Sequence, residues 1–251
     1  MRLIATLAML LPATAHAHGA EGVDPWSVAA GIAIAAAAAI YALALGKRAS
    51  LPARSAVAFA IGITALVTAL VSPLDRAAED SFALHMIQHE LLMIVAPPLL
   101  IVGRPFTAIA AVLPRAWVRM AAWPLRIPPI GAWALHGLAL WVWHVPRLFD
   151  AGRQSDAMHA LQHACFFFAA MLFWWTVFRR VRAGTAALYV LTTFIHMGAI
   201  AALITFAPAP LFAGTELEQQ QLGGLIMWVP AGYALVMAGL LAFNRLLEPQ
   251  P

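Results

Sequence analysis

Apolar residues in this chain do not alternate with polar ones; they run on without interruption. Seven such stretches stand out, at Trp26–Leu45, Ala56–Val71, Phe82–Val102, Ile130–Val145, Ala157–Phe178, Ala186–Phe206 and Gly223–Phe243. Continuous runs of this kind, about 18 residues or more, match the thickness of a bilayer's hydrocarbon core. Inside hydrocarbon every backbone N–H and C=O must be paired internally, which leaves helices or a closed barrel. Barrel strands alternate with a period of two. The expected fold is therefore all-α and polytopic, with seven transmembrane helices, the fourth of them short. The stretch from Pro105 to Pro129 carries Arg115, Trp117, Arg119, Trp123 and Arg126, and reads as an interfacial connection.

The two ends add to this frame. Residues 1–17 have the parts of a secretory signal: Arg2, an apolar run from Leu3 to Leu11, and the small-residue site Ala15-His16-Ala17. Cleavage there would leave His18 as the amino terminus of a single seven-helix domain spanning 18–251. An α-amine and an imidazole on the same terminal residue would form a chelate of the kind copper favours.

Composition agrees with a membrane protein: 63% of residues are hydrophobic and 10% charged, and the mean hydropathy is +0.83. The net charge of +4 does not indicate nucleic acid, because the basic residues lie in short loops between spans. One set of loops holds Lys47, Arg48, Arg54, Arg104, Arg115, Arg119, Arg126, Arg179, Arg180, Arg182 and Arg245, against the single acid Glu248. The alternate set, with the N-terminal segment, holds Arg76, Arg147 and Arg153, and the acids Glu21, Asp24, Asp75, Glu79, Asp80, Asp150, Asp156, Glu216 and Glu218. Basic loops stay in the cytoplasm, so the expected orientation is N-out and C-in, in a bacterial inner membrane. The lone Cys165 rules out an intrachain disulfide.

Seven histidines fall in the spans or at their ends, and ionisable residues there are functional candidates. His85 with His89, and His159 with His163, are i, i+4 pairs that each put two imidazoles on one helix face, as a helix offers ligands to one metal. His144 closes the fourth span, His136 lies two turns deeper, and His196 sits midway along the sixth. At 1.5 Å per residue, His85, His144 and His159 fall within about 6 Å of the outer boundary, and His89, His136, His163 and His196 at about 10–15 Å. Two adjoining layers are expected, with all seven as candidate metal ligands. The segments His85-Met86-Ile87-Gln88-His89 and His159-Ala160-Leu161-Gln162-His163 also echo each other. A parallel duplication, spans two–three matching four–five, would bring the pairs together about a pseudo-two-fold axis. Gln88 and Gln162 would then be placed to fix imidazole tautomers.

Other groups carry weaker signals. Glu90, the single acid inside a span, is a candidate counter-ion or proton acceptor. Met86, Met93, Met197 and Met227 are thioethers suited to Cu(I), but packing is their commoner use, as it is for Cys165. Tryptophans near helix ends fit an aromatic belt. Pro97-Pro98 should kink the third span below its histidines.

Four segments together resemble the membrane-spanning CtaG-type cytochrome c oxidase assembly factors: H-M-I-Q-H-E-L-L-M-I-V-A-P-P-L-L-I-V-G-R-P at 85–105, W-H-V-P-R-L-F-D at 143–150, the H-x-x-x-H with F-W-W at 159–175, and Q-Q-L-G-G-L-I-M-W-V-P at 220–230. The resemblance covers about residues 70–235. It implies a seven-helix inner-membrane protein that helps build a haem-copper oxidase by handling its copper, with His85, His89, His144, His159 and His163 as the motif histidines. An acid is expected just before Gln220-Gln221, where this chain has Gln219.

The function expected from these readings is binding without turnover: copper arrives from a donor on the outer side, is held by the histidines, and passes to an oxidase subunit in the bilayer. Zinc would also accept four nitrogens. The alternatives are a bis-histidine haem cytochrome carrying electrons, and a copper transporter, against which stands the lack of any ligand ladder in the cytoplasmic half.

Overall fold

A computed structural model describes residues 24–47 and 49–247; the expected signal segment and His18 lie outside the described residues. All regular structure among those residues is helical. The elements are α1 (Pro25–Gly46), α2 (Ala53–Leu70), α3 (Pro73–Asp80), α4 (Phe82–Val102), α5 (Pro105–Val112), α6 (Arg115–Ala121), α7 (Pro129–Trp143), α8 (Pro146–Gln154), α9 (Asp156–Arg179), α10 (Ala183–Thr205) and α11 (Leu217–Leu247). Six of them (α1, α2, α4, α9, α10 and α11) are long and apolar enough to cross a membrane, and the chain is a membrane protein. The expected fourth span corresponds to α7, whose 15 residues reach only about 22 Å against roughly 30 Å of hydrocarbon.

The helices start where local chemistry predicts. Proline occupies the first turn of α1, α3, α5, α7 and α8, a position where its missing N–H costs nothing. Asp24 caps α1 by accepting from the N–H groups of Trp26 and Ser27, and Ser72 and Ser81 cap α3 and α4. The stretch 105–129 consists of α5, α6 and a short 3₁₀ turn at Trp123–Arg126, with Trp117, Met120 and Trp123 exposed. It contains no span.

Interior contacts sort the loops into two ends. At one end Ser27 Oγ lies between the carboxylates of Asp24 (2.7 Å) and Asp75 (3.0 Å), and Arg153 donates to the Ala213 carbonyl and to Thr215. At the other, Tyr41 donates to the Gly103 carbonyl at 2.8 Å and Arg180 to that of Ile127. The described members of the acidic and basic loop sets thus belong to two separate ends of the bundle, called here the histidine end and the arginine end.

The third span, α4, is irregular in its middle. Leu91–Val95 is π-helical, and the Ala96 N–H reaches back to the Leu91 carbonyl, so the break lies one turn before the prolines expected to cause it. Pro97 has no N–H to offer the Met93 carbonyl four residues earlier. Trp174 Nε1, buried on α9, donates to that carbonyl at 2.9 Å instead. A side chain from the neighbouring helix therefore repairs the gap and ties α4 to α9.

Candidate metal centre

The duplication suspected from two pentapeptides extends to the backbone. After α2 and after α7 the chain makes a short proline-initiated helix (α3, α8) and an extended serine (Ser81 with φ −130°, ψ 114°; Ser155 with φ −147°, ψ 118°) before entering a long helix. Four residues past each serine stands a histidine, and both His85 and His159 donate their backbone N–H to that serine's carbonyl at 2.9 Å. The histidine pairs thus occupy the same register on α4 and α9, which pack together.

This register brings five imidazoles into one centre. Ring centroids are 4.4 Å apart for His85–His89, 4.0 Å for His159–His163, 5.1 Å for His85–His159, 5.4 Å for His89–His163 and 6.1 Å for His85–His163. His144, capping the C-terminus of α7, lies 6.1 Å from His89. One ring nitrogen from each of His85, His159 and His163 lies within 4.8 Å of the others. Ligands of a tetrahedral ion with N–metal bonds near 2.0–2.1 Å are about 3.3 Å apart, so a shift of roughly 1–1.5 Å would close the set on an ion.

Polar bookkeeping points the same way. The Nε2 atoms of all five rings are buried and have no hydrogen-bond partner. In His144 the other nitrogen, Nδ1, lies 2.7 Å from the Leu140 carbonyl. That contact requires Nδ1 to carry the proton, which leaves Nε2 as a lone pair ready for a ligand. Phe166 packs on His89 at 4.7 Å and on His144 at 5.7 Å, and Phe149 on His85 at 5.2 Å. These rings wall the centre with apolar surface.

The seven expected ligands fall into two groups in the structure. His136 and His196 do not join the five; they form a separate pair, 6.5 Å apart between α7 and α10, with His136 stacked on Phe173 at 4.7 Å. All four of their ring nitrogens lack partners. Similar depth along the helix axes was legible, but not the rotation of each helix about its axis, which separates the groups.

The glutamines act differently from expectation. Gln88 donates to the Ala69 carbonyl and to Asp75, both at 2.6 Å. Gln162 has no hydrogen-bond partner, and its Oε1 abuts Gly152, 3.0 Å from where a Cβ would stand. Each glutamine packs against the short helix preceding it and seats that helix over the centre. Neither fixes an imidazole tautomer.

Carboxylates form an acidic rim at the histidine end: Asp24 and Asp75 share the Ser27 hydroxyl, and Asp156 begins α9 three residues before the half-buried His159. Glu90 is buried with Oε2 unpartnered. Met86, Met93, Met197 and Met227 belong to the hydrophobic core, and Cys165 is half-buried.

Residues that entered the sequence analysis only through the resemblance also support the centre. Gly223 and Gly224 let α11 approach closely: a Cβ at 223 would strike the Phe82 ring and meet Met86 Cγ at 3.1 Å, and one at 224 would strike Thr205. Gln220 ties the end of α10 to the following loop, donating to the Ile204 carbonyl at 3.1 Å and accepting from the Leu211 N–H at 2.6 Å. At the departure from the expected acid, the Gln219 amide oxygen accepts a hydrogen bond from Ser81 at 3.3 Å.

A family model described as cytochrome c oxidase caa3 assembly factor (Caa3_CtaG) matches residues 27–248. The chain belongs to this family. The match takes in every helix that builds the histidine centre, so the cluster lies within the Caa3_CtaG domain itself. Comparisons with curated proteins and with solved structures give no match.

Proposed function

We propose that this caa3 assembly factor holds copper in transit at the five-histidine centre and passes it to a cytochrome c oxidase subunit within the membrane. The observation that carries the reading is the set of five buried, unpartnered Nε2 atoms on three elements, with rings 4.0–6.1 Å apart along the cluster. Each buried nitrogen left without a partner costs about 1–3 kcal/mol; a cation taken up by the His85, His159 and His163 nitrogens, which lie within 4.8 Å of one another, relieves that group, and His89 and His144 stand beside it. Imidazole nitrogens suit copper well, and the oxidase that this family assembles is a haem-copper enzyme. The site is open enough for release, since its ligands are spaced too widely to clamp an ion without movement.

In this reading the histidine end faces the outer compartment of a bacterial inner membrane, with the N-terminus outside and the C-terminus inside, and α7 completes a seven-helix set. A copper donor on the outer side delivers the ion across the Asp24, Asp75 and Asp156 rim, whose charge raises the local cation concentration. The haem alternative is disfavoured because the rings touch one another and Phe166, leaving no slot for a porphyrin between them. A transporter would need ligands at the arginine end, where none of the described histidines lies.

Elemental analysis and absorbance of the purified protein test the proposal. Copper is expected in the wild type, lost in His89→Ala/His163→Ala and kept in His136→Ala/His196→Ala. A Soret band in the wild type, or full copper retention by the first variant, would overturn it.

A further inference from the structure

At the arginine end, opposite the histidines, a cavity of about 330 Å³ opens between the start of α5 and the end of α9, lined by Arg104, Phe106, Thr107, Trp175 and Arg179. Arg104 stands two residues past the end of α4, and Arg179 is the last residue of α9, so both guanidinium groups arise where spans meet the membrane surface. Counting along α9 from His159 to Arg179 at 1.5 Å per residue places the cavity roughly 30 Å from the metal centre.

Two guanidinium groups line this cavity, and no described acid stands beside them. The described carboxylates Asp24, Asp75, Glu79, Asp80, Asp150, Asp156, Glu216 and Glu218 all belong to the histidine end, and Glu90 lies fourteen residues before Arg104 on α4. Arginine at such a position more often reaches into water than lines a cavity. Here Arg104 is held at φ 57°, the single non-glycine residue with positive φ among those described, and is half-buried, while Arg179 is more exposed and donates to the Ile101 carbonyl at 3.5 Å, which holds it against the end of α4. Phe106 and Trp175 pack edge to face at 5.0 Å and give the cavity an apolar wall. Thr107 adds a hydroxyl, and the N-terminus of α5 beside it has no side-chain cap.

Paired guanidinium groups, a hydroxyl donor and an aromatic wall at headgroup depth suit one ligand chemistry. We propose that this cavity binds a phosphate group at the membrane surface, carried by the headgroup of an anionic phospholipid. Arginine's planar fork matches phosphate oxygens, basic pockets between spans at this level take anionic headgroups, and the Phe106–Trp175 wall accommodates the glycerol and first methylenes of the chains. A lipid seated there would bridge the ends of α4 and α9, the two helices that carry both histidine pairs.

Native mass spectrometry of the intact protein, with phosphatidylglycerol, phosphatidylcholine or inorganic phosphate added, tests this. The wild type is expected to keep phosphatidylglycerol adducts at least about tenfold more than phosphatidylcholine adducts, and Arg104→Gln/Arg179→Gln to lose that preference. Excess inorganic phosphate should not displace the lipid; displacement, with phosphate retained in its place, would mark free phosphate as the ligand and overturn the lipid assignment. Equal retention of both lipids by the wild type, or an unchanged preference in the double variant, would overturn the site itself. Copper content and elution volume of the double variant should match the wild type, which separates loss of this site from misfolding.

Discussion

Single residues set the chemistry of the histidine end through what their atoms lack. The five Nε2 atoms are unusual less for being imidazoles than for being buried together without partners; His144 shows how one is prepared, its Nδ1 proton committed to Leu140. The acidic rim has a cost of its own. Burial, and then the carboxylates of Asp75, Asp156 and Asp80, push the Glu79 carboxyl above its ordinary 4.5. A carboxyl raised on folding contributes nothing below its unfolded value, where both states are protonated; it destabilises increasingly as pH climbs from the unfolded to the folded value, and by a constant amount above that. Glu79→Gln should therefore raise the melting temperature at pH 7 and leave it unchanged near pH 3.5, read by thermal unfolding in detergent across that range. An equal gain at both pH values would refute the electrostatic explanation.

At the level of helices, the decisive contact joins α4 to α9. The π-helical turn at Leu91–Val95 and the missing N–H of Pro97 leave the Met93 carbonyl in need of a donor, and Trp174 supplies it. π-helical turns are frequent at functional sites, and this one begins two residues after His89. Trp174→Phe keeps the packing but strands the carbonyl, so it is expected to cost about 1–3 kcal/mol and to weaken copper retention by loosening the register of the histidine pairs. Thermal unfolding with parallel metal analysis checks both effects; a variant as stable as the wild type would mean that another donor reaches Met93.

On the scale of the whole molecule, two chemically distinct ends face apart: one with imidazoles and carboxylates, the other with arginines. The excess of basic residues predicts that the arginine end is cytoplasmic. Single cysteines placed in a Cys165→Ala background at Gln154 and at Arg182 should react differently with a membrane-impermeant maleimide on intact spheroplasts, the first labelled and the second protected. The reverse pattern would invert the orientation and place the histidine centre on the cytoplasmic side.

The helical class was legible in the chain's pattern alone, because unbroken apolar runs in hydrocarbon leave the backbone few ways to pair. The bounds of the third span match to the residue, and the i, i+4 spacing of both histidine pairs settled that each pair shares a helix face. Segregation of loop charges was legible for the same reason, since alternation of direction follows from counting spans. It took the packed bundle to show that His144 joins the two pairs while His136 and His196 stand apart, that Gln88 and Gln162 seat short helices, and that Trp174 reaches the Met93 carbonyl. Those outcomes depend on how far each helix turns about its own axis and how closely it approaches its neighbours. Small residues such as Gly223 and the gaps around Pro97 set those quantities through contacts between distant segments, which no local pattern encodes.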